Sequence, residues 1–157
     1  MHLEDYAVGD KAELGSHLFT AEDIIRFASK YDPQPFHLSE EGGRAGPFKR
    51  LAASGWHTCA VWMRLLLGFH TRLARERVAA GLPVGRVGPS PGFSDLSWKR
   101  PVYAGDQITY FTEVLETRPS ASRPGWGVLR ARNSAVNQDG AEVLEFTSVV
   151  LVERRPA

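Results

Sequence analysis

The chain has 157 residues, 43% hydrophobic and 24% charged, with 19 basic against 18 acidic side chains and a formal net charge of +1. That size and balance specify one globular domain over 1–157, large enough for a proper core. With no block of like charge, they imply neither nucleic acid nor a membrane surface as a partner. Cys59 is the single cysteine, which excludes an internal disulfide and a cysteine-based zinc site.

The opening Met1-His2-Leu3-Glu4-Asp5 lacks the basic and apolar regions of a signal peptide. A strand is expected between Lys11 and Phe19. Thr20, with Glu22 and Asp23 behind it, is a helix-start pattern. Ile24, Ile25, Phe27, Ala28 and Tyr31 then recur at helical spacing.

Asp32-Pro33-Gln34-Pro35-Phe36-His37 ends that helix. Each proline fixes its own φ and drives the preceding residue toward extended geometry. The turn holds a carboxylate and an imidazole five positions apart on stiff backbone, as proton-transfer chemistry requires. It is equally compatible with Asp32 as a simple cap and His37 as the start of the next helix.

A short polar helix is expected from Leu38 to Ala45, limited by Gly42, Gly43 and Gly46, with a loop through Pro47 and Phe48. Ser54-Gly55 opens a longer helix carrying Trp56, Val61, Trp62, Leu65, Leu66, Leu67 and Phe69, apolar almost all round and therefore expected to be buried from Trp56 to about Arg72. This apolar stretch contains His57 and Arg64 and is too short to span a bilayer, so the chain reads as cytoplasmic. Within it, Cys59 reads as a small buried hydrophobe rather than a nucleophile. The helix start offers unpaired N–H groups to an oxyanion, and Gly55 presents no side chain to obstruct one; plain capping by Ser54 accounts for the same residues.

After a Gly/Pro-rich stretch from Gly81 to Gly92 the pattern turns to strands: Phe93 to Trp98, Gln107 to Thr117, Trp126 to Asn137 and Val143 to Glu153, the last two joined through Asp139-Gly140. The order specifies an α+β domain, one long central helix wrapped by a curved antiparallel sheet of five or six strands.

The turn motif resembles the Asp-x-Asn-Pro-x-His motif of MaoC-like dehydratases, the (R)-specific enoyl-CoA hydratases. Ser54-Gly55 resembles that family's helix start, Lys99-Arg100-Pro101-Val102 its strand-ending segment, and Tyr103-Ala104-Gly105-Asp106 its Gly-Asp turn. The likeness runs from about Phe19 to Val152. It implies a hot-dog fold, a homodimer or dimer-based assembly, and reversible hydration of 2-enoyl-CoA thioesters to 3-hydroxyacyl-CoA with neither metal nor cofactor. It assigns Asp32 and His37 as the catalytic pair and the Gly55 amide as the thioester-oxygen donor. Gln34, Phe36, Phe48 and Ser54 are the candidate substrate contacts, and Arg44, Lys49, Arg50, Lys99 and Arg100 are candidates for the coenzyme A phosphates. Gln34 replaces the usual Asn, one methylene longer, and the stretch from Phe69 to Gly92 is longer than in compact members.

Two other readings share these residues. A hot-dog thioesterase would place its carboxylate on the long helix, and this one has none between Gly55 and Arg75. A non-catalytic acyl-CoA-binding protein has no need of both Asp32 and His37. The other histidines give no metal-ligand spacing, and His57 reads as a satisfied, packed side chain.

Overall fold

Thr20 Oγ1 accepts a hydrogen bond from the Asp23 N–H at 3.1 Å, a cap worth about 1 kcal/mol, and helix α1 (Ala21–Tyr31) follows. The structure, a computed structural model, describes residues 1–156. A 3-10 turn (Leu3–Asp5) and strand β1 (Lys11–Leu18) precede α1. After it come α2 (Pro35–Leu38), α3 (Glu40–Ala45) and α4 (Gly55–Ala79). The strands β2 (Gly92–Trp98), β3 (Gln107–Pro119), β4 (Trp126–Val136) and β5 (Glu142–Glu153) complete the chain.

The five strands make one antiparallel sheet in the order β1-β3-β4-β5-β2, so β1 and β2 are its edges. Register shifts at Glu13/Gly15, Ser94/Ser97 and Val114/Glu116 put irregularities into three strands, the usual device for bending a sheet. Along β4, Leu129, Ala131, Asn133 and Ala135 are buried in strict alternation, the period of a sheet with one covered face. That face meets α4 in a core containing Phe19, Ile24, Val61, Trp62, Tyr110 and Leu144.

Two polar contacts fix α4 on the sheet. The Tyr110 hydroxyl donates to the Thr58 carbonyl at 3.2 Å, and Trp62 Nε1 donates to Asn133 Oδ1 at 3.1 Å. Asn133 is 1% exposed and its amide nitrogen donates to Ser148 Oγ at 2.9 Å. Because these partners are buried, removing one strands the other at about 1–3 kcal/mol.

The structure departs from the sequence expectation in several places. The segment from Leu38 to Ala45 is two helical turns divided at Ser39, whose extended backbone and hydroxyl start α3 by accepting the Gly42 N–H. Gly42 and Gly43 lie inside α3 and permit close approach: a Cβ would overlap the Pro35 carbonyl at one and the Arg50–Leu51 backbone at the other. The long helix, which ends at Ala79 close to the Gly81-Leu82-Pro83 stop, is covered on one side only instead of being buried all round. His57, Thr58, Val61 and Trp62 are buried, whereas Trp56, Met63 and Leu67 are 52%, 44% and 59% exposed. The edge strand β2 leaves that flank of the helix uncovered within one chain.

His57 packs differently from the satisfied histidine expected. Its ring stacks on Phe27 at 4.5 Å and meets the Phe19 ring edge-on at 4.9 Å, and its buried Nδ1 has no hydrogen-bond partner. Burial, with His17 beside it, lowers its pKa from 6.5 to about 4. Between those values the unfolded chain binds the proton and the folded chain does not, so this contribution to stability is present above pH 6.5 and is lost as pH falls toward 4. Urea unfolding across that interval will show wild-type stability falling with pH. His57→Phe, which keeps the stack, will show a shallower fall; parallel curves would remove His57 as a cause.

Candidate active site

The end of α1 builds the first part of the site. Asp32 has left helical geometry (φ −153°, ψ 68°), while its N–H still closes the helix on the Ala28 carbonyl at 2.9 Å. The Gln34 N–H then donates to the Asp32 carbonyl at 2.8 Å, and Pro35 opens α2 at its first position, where its missing N–H costs nothing. One turn of α2 brings His37 back toward Asp32.

His37 is 5% exposed. Its Nδ1 lies 2.7 Å from the Ala52 carbonyl, and a carbonyl accepts only, so the proton is on Nδ1. The other ring nitrogen, Nε2, faces Asp32 Oδ2 at 3.4 Å.

Asp32 accepts on both oxygens. Gln34 Nε2 donates to Oδ1 at 2.7 Å, and Ser54 Oγ donates to Oδ2 at 2.6 Å. Burial pushes this carboxyl upward, but the hydrogen bonds from Ser54 and Gln34, with His37 beside them, outweigh it and hold Asp32 below the usual carboxylate range. Ser54 is fully buried, and its Oγ also accepts the Trp56 N–H at 3.2 Å, capping α4. The neighbouring Gly55 N–H has no acceptor among the described residues, so it is a free donor at the positive end of a helix of 25 residues.

Asp32, Gln34, Phe36, His37, Phe48 and Gly55 all border one cleft of about 390 Å³. Phe36 meets His37 and Phe48 edge-on at 4.6 and 5.3 Å, forming an aromatic wall against the imidazole. Ser54 is sealed behind Asp32 instead of lining the cleft, and Gln34 reaches the carboxylate with the extra methylene that distinguishes it from Asn. Of the basic residues, Lys99 and Arg100 border the cleft, Lys99 being paired with Glu142 and Glu145, and the Arg50 guanidinium lies over the Tyr103 ring at 4.4 Å. Cys59 is half-buried and burial pushes its thiol upward, which disfavours a thiolate.

Trp98 is a cleft residue that sequence reasoning missed. It stands on β2 against Gly55, and its ring meets Trp56 edge-on at 5.2 Å. No periodicity links it to Gly55; only the fold brings the edge strand over the helix start. The Ala52 carbonyl and the Ser54–Asp32 bond are likewise contacts of tertiary structure. A Cβ on Gly55 would fall within the Trp98 indole. Gly55→Ala is therefore expected to destabilise by about 1–3 kcal/mol, and by clearly less in a Trp98→Ala background, when the four chains are compared by urea unfolding.

No family model matches the chain. It is 30% identical over 156 residues to the uncharacterized protein YdeM of Bacillus subtilis (strain 168), covering 98% of this chain and all of that one. Among solved structures, the MaoC-like dehydratase from Rhodospirillum rubrum is 40% identical with a TM-score of 0.82, covering 100% of this chain and 99% of that one. The (R)-hydratase from A. caviae involved in PHA biosynthesis is 25% identical with a TM-score of 0.68, covering 98% and 99%. A likeness that spans both chains end to end, on a long helix wrapped by this five-stranded sheet, places the chain in the MaoC-like dehydratase family with its hot-dog fold.

Proposed function

We propose that this protein is a hydro-lyase that adds water reversibly across the C2–C3 double bond of a 2-enoyl thioester carried by coenzyme A. The observation that carries the reading is the facing of Asp32 Oδ2 and His37 Nε2 at 3.4 Å beside the free Gly55 N–H. Ionised Asp32 and the bare Nε2 are both acceptors, so a water between them donates to each and turns its lone pair toward the cleft. The water oxygen bonds to C3, one water proton passes to the Asp32–His37 pair, and the pair returns one proton to C2. Electron density displaced from the double bond collects meanwhile on the thioester oxygen, where the Gly55 N–H donates to it. The (R)-hydratase of A. caviae and the dehydratase of R. rubrum support the reaction class. Within the reading, Phe36 and Phe48 contact the acyl group, Gln34 and Ser54 hold Asp32, and Arg100 meets the phosphates of the carrier. Among the described residues the only carboxylate bordering the cleft is on the proline turn and not on α4, which favours this chemistry over thioester hydrolysis.

The working unit in this reading is a homodimer. Trp56, Met63 and Leu67 on α4, with Phe93 and Trp98 on the edge strand β2, leave an apolar flank beside unpaired backbone, a combination that pairing with a second copy removes. Sedimentation at micromolar concentration is expected to give at least twice the chain mass of 17.4 kDa; a monomer would refute the assembly.

Loss of the enoyl-thioester absorbance with crotonyl-CoA tests the activity. Asp32→Asn and His37→Gln are each expected to lower kcat by about a hundredfold or more, with the double variant scarcely worse because the two act as a unit. Near-normal turnover by Asp32→Asn would end the assignment. Ser54→Ala removes a donor to the ionised carboxylate, so the acid limb of its kcat/KM profile is expected to move to higher pH. An unmoved limb would mean that Ser54 does not tune Asp32.

A further inference from the structure

A second cleft, of about 310 Å³, opens between α1, α4 and β1 and shares no residue with the first. Its α4 residues are His57, Ala60, Val61 and Arg64. At about 100° per residue these fall on the side of the helix opposite Gly55. The proposed hydration chemistry makes no use of this cleft, and its function can be tested separately.

The charges in this cleft are unbalanced. Arg64 has no carboxylate partner among the described residues; its guanidinium donates to His17 Nδ1 at 3.0 Å. His17 therefore carries its proton on Nε2. Asp23, the cleft's one carboxylate, is already paired with Arg26. His57 is 7% exposed and its Nδ1 is sealed without a partner. A sealed N–H costs more than a sealed ring lone pair, so the proton belongs on Nε2, the nitrogen that keeps access to the cleft. The result is a pocket with an unneutralised guanidinium and an imidazole N–H as donors, and no free acceptor of comparable strength. Among the described residues no three His, Cys, Asp or Glu side chains converge here or elsewhere as a metal site, so a cation is not the complement.

We infer that this cleft binds an oxyanion of the phosphate type, held by Arg64 with the His57 Nε2–H at its floor. Arg64 matches such an ion because its planar fork donates to two oxygens at once. The groups facing His57 are His17 from β1, Asp23 and Arg26 from α1, and Arg64 from α4. Three of these four are basic, and His57 stays uncharged among them. A bound anion reverses that balance and favours the imidazolium.

The test is calorimetric titration of the full chain with sodium phosphate at pH 6.5, against sodium chloride of equal ionic strength. Phosphate is expected to bind with saturation and to raise Tm by a few degrees, and chloride to do neither. Arg64→Gln, an exposed position that does not threaten folding, is expected to weaken binding at least tenfold, while Arg123→Gln, exposed and remote, leaves it unchanged. In NMR titration the His57 ring is expected to take its proton at higher pH when phosphate is present. His57→Phe keeps the aromatic stack and is expected to bind more weakly. A parallel arm with AMP separates the sources of the anion: binding ten times tighter than phosphate and dependent on Arg64 identifies a nucleotide phosphate, and equal binding identifies free phosphate, either of which upholds the site. Phosphate behaving as chloride does, or Arg64→Gln retaining full affinity, overturns it.

Discussion

The Asp32 carboxylate accepts hydrogen bonds from Gln34 and Ser54, and these three residues are the caps of three helices: Asp32 closes α1, Gln34 opens α2 and Ser54 opens α4. One side chain thus fixes the relative placement of all three helix ends. The prolines on either side of Gln34 leave the turn little freedom to relax. The Ser54 hydroxyl serves two ends at once, donating to Asp32 and accepting from the Trp56 N–H. The position of the Gly55 amide relative to the Asp32–His37 pair follows from that shared contact.

The helix α4 presents different chemistry on each side. Trp62, through Asn133, and Thr58, through Tyr110, fasten it to the sheet. Gly55 and Thr58 border the cleft beside Asp32 and His37, while His57, Val61 and Arg64 border the cleft beneath α1. Trp56, Met63 and Leu67 remain exposed beside the edge strand. A segment rich in apolar residues all round need not be enclosed by its own chain, because hydrophobicity states what gains from burial and not what supplies the cover.

Two histidines of similar burial, His37 and His57, illustrate how local partners decide chemical character. His37 gives its Nδ1 proton to a carbonyl and turns Nε2 toward a carboxylate. His57 has aromatic rings at its faces, basic groups around it and no partner for Nδ1. Distance from water is nearly the same; the sign of the neighbouring charge is not.

Much of the architecture is written in local signals. Thr20 as a cap, the proline turn, Ser54-Gly55 at a helix start and the alternating strands are properties of a few consecutive residues, and each forms as its pattern specifies. Sequence also brought Asp32 and His37 together, since five stiff residues cannot separate them far. Tertiary structure decided what depends on residues remote along the chain. Trp98 against Gly55, the Ala52 carbonyl on His37 and the Ser54 hydroxyl on Asp32 join segments that carry no shared period. The two glycines of α3 are there because Pro35 and Arg50 pass close by, which no local rule for helix ends contains. The partnerless Nδ1 of His57 is likewise a fact of packing, because a histidine's hydrogen-bond partners are set by whatever the fold delivers to its ring.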